Sequence, residues 1–454
     1  MLKRYESEAG MFEFVRPTRP RRSSGNIFTA VVGRNGTGKS RLLRGVVRNL
    51  ITETINPKVF SREEQANFKT ESVGILEIAY KPSQIICVSA SPFDKFPLLR
   101  REQFVRGYSY LGLRGLPSSN LGLAYMSRII SALIQAAENI PGQTQAIAHV
   151  LETSGYKGGI HITLQKPPPS LLQRLLAPNP RQALEEYTKS SLFLSDGISR
   201  YRQLLIAEPK QFDHIVRIAR HMMPRLRGRS EIGISIDRNS VGIDFDLAIN
   251  RKDWLQLLLS GLFRLKDVML VKQDGTKPIK LHEASSGEQA VLMSLLGIGS
   301  QIQDGALICI DEPEVCLHPE WQEKYIEVLA ETFQQFHGCH FLIATHSPQI
   351  VAQMPKGDCF VTSMEDRVAR HAREFTNRSI DFQLAEVFAA PGYKNEYLCR
   401  IALNAFAMVS KEKKVNSEVK QTLRTLRRLT PELHGDDPLR ELISTLEDMA
   451  KTYG

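Results

Sequence analysis

The sequence is poor in the features that mark secreted, membrane-spanning or metal-stapled proteins. Six cysteines are scattered over 454 residues without a single Cys-x-x-Cys pair, which argues against a zinc module and a disulfide framework. Cys87 and Cys309 sit inside apolar runs, where a thiol behaves as a small hydrophobe. No stretch approaches the roughly 20 uninterrupted apolar residues of a membrane span. Met1 to Glu8 lacks the apolar core of a secretory signal. Internal repeats, low-complexity tracts and sustained heptads are missing too, so neither a solenoid nor a long coiled coil is expected. A reduced, cytoplasmic protein without a membrane partner is the expectation.

What is present is ordinary in amount and basic in balance. A hydrophobic share of 42% supports a sizeable core, and the length fits one to three domains. Lysine and arginine number 59 against 49 acidic residues, a net charge of +10 that favours polyanionic partners such as nucleotides or nucleic acid.

Periodicity divides the chain. Asn26 to Val32 is a short, β-branched apolar run, long enough for a buried strand. Gly33 to Gly38 interrupt it, and Leu42, Leu43, Val46, Val47 and Leu50 then recur at helical spacing. Gln84 to Ala90 reads as a second buried strand. Leu121 to Ala137 and Arg200 to Met223 read as helices, separated by proline clusters at 167–169 and 178–180 that mark loops. Ile232, Ile234 and Ile236 alternate with small or polar residues, as do Ile243, Phe245, Leu247 and Ile249. Arg238 to Ser240 between them predicts a hairpin. Val268 to Val271, followed by Asp274-Gly275, predicts another. Apolar strands follow at Ala306 to Ile310 and His340 to Ala344, and amphipathic helix dominates past about residue 380.

Three strand ends carry chemistry. Gly33-Arg34-Asn35-Gly36-Thr37-Gly38-Lys39-Ser40 matches G-x-x-x-x-G-K-[ST] between a predicted strand and a predicted helix, where backbone N–H groups can cradle phosphate oxygens. Asn35 to Arg41 are the candidate nucleotide contacts, with Lys39 reaching the β- and γ-phosphates and the Ser40 hydroxyl on Mg²⁺. The strand ending in Asp311-Glu312 delivers two carboxylates: Asp311 for the Mg²⁺ sphere and Glu312 as general base toward an attacking water. The next strand ends at His346, placed to hydrogen-bond the γ-phosphate.

Ser285-Ser286-Gly287-Glu288 opens a further apolar helix and makes a second anion-binding end. A chain that already has one phosphate loop has no obvious use for it alone. The pattern resembles the signature motif of ABC-type ATPases, which caps the nucleotide held by a neighbouring subunit. The order of phosphate loop, signature, acidic strand and histidine covers residues from about 25 to 97 and 265 to 350. The resemblance implies an α/β P-loop ATPase head, ATP and Mg²⁺ as ligands, and homo-oligomers built on ATP-sandwich dimers.

Asp311-Glu312-Pro313-Glu314-Val315-Cys316-Leu317-His318-Pro319 looks like the pattern of OLD, RecF and SMC-like ATPases. Transporter ATPases carry aspartate at the place of His318. The chain departs from that pattern after strand 84–90, where a metal-contacting glutamine is expected and Ser89, Ser91 and Asp94 stand instead; Asp94 is a candidate substitute. The insert is too short for an SMC arm. The tail has no Toprim-like strand ends, Asp436-Asp437 being polar and helix-flanked, so no intrinsic nuclease is expected. An ATPase lacking both resembles the Septu antiviral family PtuA, which works with a separate HNH nuclease; PARIS-type defence ATPases and DNA-repair or clamp-type ATPases are the alternatives.

The expected layout is a head over 1–97 and 231–355, an inserted helical lobe over 98–230, and a C-terminal helical extension over 356–454 for partner binding or oligomerisation. Two arginine groups, Arg16, Arg19, Arg21 and Arg22, and Arg217, Arg220, Arg225, Arg227 and Arg229, are candidates for DNA or RNA backbone contact. Leu423, Leu426 and Leu429 form an apolar stripe beside a basic face from Lys411 to Arg428, which must be covered either by the chain itself or by a partner.

Overall fold

The computed structural model describes residues 1–16, 25–52, 54–70, 74–99, 105, 107–114, 129–130, 143–190, 204–205, 209–226, 228–244, 253, 256–257, 260, 262–315, 317–355 and 357–454. The helix expected over Leu121 to Ala137 lies almost wholly outside them. So do Arg19, Arg21, Arg22, Arg227, Phe245, Leu247, Ile249 and Cys316.

Strands run from Leu2–Ser7 (β1), Gly10–Glu13 (β2), Ile27–Val32 (β3), Ile75–Ile78 (β4), Ile85–Ser89 (β5) and Tyr108–Gly112 (β6). Tyr156–Gln165 (β7), Glu231–Ile236 (β8), Val241–Ile243 (β9), Arg264–Lys272 (β10) and Pro278–Lys280 (β11) come next. Leu307–Asp311 (β12), His340–Thr345 (β13), Cys359–Ser363 (β14) and Ala369–His371 (β15) follow.

The central sheet has seven strands in the order β15-β14-β3-β13-β12-β5-β6. All its pairings are parallel except β14 with β15. Its middle strands are buried on both faces, which is why they read as continuous apolar runs rather than alternating ones. The pleat still sorts them. Leu307 and Cys309 face a core shared with Leu43, Val46 and Val47 of the helix Lys39–Thr52, while Ile308 and Ile310 face the other core. Cys87 and Cys309 sit opposite each other, fully buried and unbonded, as small apolar residues.

A second sheet, antiparallel and ordered β11-β10-β7-β8-β9, packs into the larger core, and β2-β1-β4 covers the other face. Both expected hairpins form, β8 with β9 and β10 with β11. The segment 98–230, read from sequence as helical, also holds β6, which extends the central sheet, and β7, the middle of the antiparallel one. Within the expected Arg200 to Met223 helix, residues 204–205 are helical and a described helix runs Pro209–Met222. Residues 359–371 likewise add β14 and β15 to the head before the helices begin. Helices Glu396–Glu412, Ser417–Leu429 and Leu439–Tyr453 share their own core, and it is there that Leu423, Leu426 and Leu429 are buried. The stripe is covered by the chain itself. No helix among the described residues is long and apolar enough to cross a membrane.

His340 opens β13 at full burial. Its Nδ1 accepts from the Leu2 amide at 3.4 Å, and its Nε2 lies 2.9 Å from Thr29 Oγ1, which itself donates to the Phe14 carbonyl. This pattern requires the neutral Nε2–H tautomer, and burial pushes the imidazole down from 6.5 to about 3. A histidine lowered on folding contributes stability that is present above its unfolded value and lost as pH falls from there toward the folded one. The expected outcome is a stability loss of up to about 1.4 kcal/mol per pH unit below pH 6, absent in His340→Gln. Urea unfolding between pH 7 and 4.5 checks it, and equal slopes would contradict the buried neutral ring.

Candidate functional site

The three central strands β3, β13 and β12 end side by side. Thr345 pairs with Val32, and Ala344 with both Val31 and Asp311, so the loops that follow open at one edge of the sheet. In parallel sheets the carboxyl edge is where ligands are held.

After β3, the chain turns through Gly36 and Gly38 at φ of +80° and +98°, conformations that side-chain-bearing residues rarely adopt. Nothing lies within 4 Å of a Cβ built on Gly36, so the cradle is open on that side. Asn35, Gly36, Thr37 and Arg41 are exposed, and Gly38 is half-buried. Lys39 begins the helix and is buried, with Nζ donating to the Gly33 and Arg34 carbonyls at 2.8 and 3.0 Å. Burial lowers its pKa, while Glu312, Glu314 and Asp311 pull it back up. The ammonium is held by the loop's own oxygens.

Ser40 Oγ donates to Asp311 Oδ1 at 3.0 Å across 271 residues of chain. Burial raises the Asp311 carboxyl to about 7, against the lowering effect of the Ser40 hydroxyl; Glu312 and Asp94 raise it further. Two hard oxygen donors in contact, with surplus negative charge around them, fit Mg²⁺. Glu312 takes a left-handed backbone at φ +50°, while its amide still donates to the Ala344 carbonyl at 2.9 Å. A bulky residue held in this region is the kind of strain that concentrates at functional sites. His346 Nδ1 lies 4.0 Å from Glu312 Oε1 and 3.1 Å from Glu314 Oε1. Lys39, Ser40, Asp311, Glu312 and His346 are thus brought together at one sheet edge.

Glu314 is the member that sequence reasoning left out of the site. Buried, it accepts from Thr345 Oγ1 at 2.8 Å and from the His346 amide at 2.6 Å. Its signal was the second glutamate of Asp311-Glu312-Pro313-Glu314. Asp94 is buried and committed elsewhere: Oδ1 accepts from the Phe96 amide at 3.0 Å and Oδ2 from Tyr110 Oη at 2.5 Å. It clips its loop to the middle of β6, and the geometry does not turn it into a metal ligand. Asp437 is a local cap, receiving the Lys394 and Leu439 amides.

The signature helix Ser286–Gly299 carries a reciprocal capping box. Ser285 Oγ accepts from the Glu288 amide at 3.3 Å, and Glu288 Oε2 accepts from the Ser285 amide at 2.9 Å. Ser285 and Ser286 stay exposed, while Gly287 is buried against Trp321, whose Cδ1 would lie 3.2 Å from an added Cβ. Ser286 also borders a cavity of about 180 Å³ lined by Val88, Ala90, Met293, Asp311 and Pro313. Ser285 and Ser286 thus reach solvent at a capped helix start, with Ser286 also at the cavity that Asp311 lines.

Removing the Glu314 side chain leaves Thr345 Oγ1 and the His346 amide without their acceptor. Glu314→Ala is expected to cost about 2 kcal/mol of stability and to slow any ATP turnover at least tenfold, whereas Glu314→Gln, which keeps an acceptor oxygen, should retain most of both. Denaturant unfolding and phosphate release check this; equal behaviour of the two variants would contradict the clamp.

Comparison with known proteins follows the same lines. Residues 143–352, just under half of the chain, match the family model described as "AAA domain, putative AbiEii toxin, Type IV TA system". That span holds the signature, the acidic strand end and the histidine, but not the phosphate loop. The chain is similar to protein ea59 of Escherichia phage lambda, 33% identical over 76 residues, which are 17% of this chain and 14% of that protein. It is also similar to the "Retron Ec83 probable ATPase" of Escherichia coli, 27% identical over 114 residues, 22% of this chain and 20% of that protein. The matches therefore span only a small part of these relatives. Among solved structures, Stu0660 of Streptococcus thermophilus aligns over 97% of this chain and 94% of its own, at 13% identity and a TM-score of 0.31. An SMC head bound to the C-winged helix domain of ScpA aligns over 77% and 90%, at 13% identity and 0.25. Scores this low leave the fold to the sheet order and the site themselves. The matched span 143–352 thus resembles an AAA domain, and the phosphate loop, the acidic strand end and the histidine meet at one edge of the central sheet.

Proposed function

We propose that the chain binds ATP with Mg²⁺ at Gly33 to Arg41 and hydrolyses it between two copies paired head-to-tail, each phosphate loop facing the partner's Ser285 to Glu288. The single observation that carries this reading is the 3.0 Å contact of Ser40 with Asp311, with Lys39, Glu312 and His346 around it. Ser40 and Asp311 would hold the metal, which supplies charge neutralisation on the β- and γ-phosphates. Lys39 would exchange its two loop carbonyls for phosphate oxygens. Glu312, half-buried beside His346, accepts the proton of the attacking water, and His346 orients toward the γ-phosphate while Glu314 fixes its backbone. Each copy contributes loop and base to one nucleotide and its serine-capped helix to the other.

In the wider role we read the chain as the ATPase subunit of a bacterial antiphage defence assembly of the Septu type, in which ATP occupancy regulates a separate HNH nuclease that degrades DNA. The motif order and the retron-associated relative support this reading. A PARIS-type defence ATPase is an alternative of the same architecture, and a second reading is a DNA-repair or clamp-type ATPase that acts on nucleic acid directly. It draws on Arg217, Arg220 and Arg225, exposed on one side of the helix Pro209–Met222 and the turn after it. Stimulation of the purified chain's ATPase by DNA, without any nuclease, would favour that second reading.

Glu312→Gln is expected to bind ATP and accumulate as the closed pair, with turnover at least about 100-fold lower. Ser286→Arg is expected to bind ATP but fail to pair. Nucleotide titration, light scattering and phosphate release check both; unchanged turnover in Glu312→Gln would remove it as the base, and ATP-dependent pairing of Ser286→Arg would remove the signature as the lid.

A further inference from the structure

Arg34 stands second in the phosphate loop, yet its side chain leaves the cradle for the C-terminal helices. Its Nη1 lies 2.6 Å from Glu432 Oε2, and its Nη2 donates to the Ala389 carbonyl. Glu432 belongs to the turn Thr430–Glu432 that ends the helix Ser417–Leu429, and Ala389 follows the helix Ile380–Glu386. Ala389 holds φ at +47°, so its carbonyl is aimed by a backbone conformation uncommon for alanine. The Glu432 carboxylate holds the guanidinium above its usual range, and the guanidinium holds the carboxyl below its own.

The main chain of the same residue is the hub of the loop. The Arg34 carbonyl accepts from Lys39 Nζ at 3.0 Å, from Thr37 Oγ1 at 2.8 Å and from the Thr37 amide at 3.4 Å. On the opposite side, Met364 at the end of β14 closes on Gly33, its Cβ 3.1 Å from where a glycine substituent would stand. The ion pair is about one third exposed on each side, so its worth as stability is small. Its place is what distinguishes it, because it fixes the residue around which Lys39 and Thr37 are arranged.

We propose that Arg34 is a positioning residue through which the C-terminal helices set the affinity of the phosphate loop for ATP. A protein seated on those helices would then change nucleotide affinity, and ATP would change that protein's affinity by the same factor. The coupling rests on the reading of Gly33 to Arg41 as the ATP site. It deepens that reading by giving the C-terminal extension a route into it.

The experiment compares the full-length wild-type chain with Arg34→Ala, Glu432→Gln and their combination. Affinity for ATP is measured with a fluorescent analogue, thermal midpoints are recorded, and Lys39→Ala serves as the control that cannot hold phosphate. Each single variant is expected to bind ATP about fivefold more weakly, with the combination no weaker than either single. Midpoints should stay near that of the wild type. ATP should raise hydrogen-exchange protection over residues 428–434 in the wild type but not in Glu432→Gln, a readout that a purely structural pair would not move. Unchanged affinities, or losses that multiply to about 25-fold in the combination, overturn the coupling while leaving the ATP site intact. A wild type that binds no better than Lys39→Ala overturns the site itself, and the coupling with it.

Discussion

The register of three parallel strands is the constraint on which everything else depends. Val32, Asp311 and Thr345 finish together because β3, β13 and β12 pair without a bulge along their described length. That alignment carries Ser40 to Asp311 and sets Glu312 beside His346. A shift of one residue in any of the three would turn its buried side chains to the opposite core, and each core has its own apolar partners. The packing of the sheet therefore enforces the geometry of the site. Hydrophobic burial, which has no direction of its own, becomes positional through the pleat.

Charge at the sheet edge is arranged less comfortably. Asp311, Glu312 and Glu314 gather near one buried lysine, and burial, with Glu312 and Asp94 nearby, raises the Asp311 carboxyl. Glu314 and Asp94 relieve their share by accepting backbone and hydroxyl hydrogens, so they act as clamps. Asp311 and Glu312 keep capacity to spare. The buried Lys39 ammonium, held by two loop carbonyls, stands among these carboxylates as their counter-charge.

The most legible elements in the sequence were those buried on every side. β3, β5, β12 and β13 and the helix Lys39–Thr52 carry continuous apolar runs or helical spacing with glycine punctuation, and each is predicted within a residue or two, while the apolar run of the helix Ser286–Gly299 marks only Ala290 to Ile298. β7 was missed because Lys157, Gly158 and Gly159 dilute its pattern near the start. β1 was missed because three of its six residues are charged, β2 because it has only four residues, and β14 because Thr362 and Ser363 cut short its apolar run. These strands exist through what they pair with, and pairing partners are remote in sequence. Among site residues, Asp94 shows the same limit: a carboxylate at the right distance along the chain, but turned into Tyr110 and the Phe96 amide.

The amino-acid sequence alone determined the chemistry on offer: a phosphate loop, an acidic strand end, a histidine and a serine-glycine helix start. Each is local, since spacing within a few residues sets which backbone groups and side chains act together. Only the tertiary structure decided which of them meet, that Glu314 anchors the histidine loop, that the leucine stripe of the tail is covered by its own helices, and that Arg34 ties the loop to those helices. Those outcomes depend on strand order and on contacts between segments hundreds of residues apart, which local pattern does not encode.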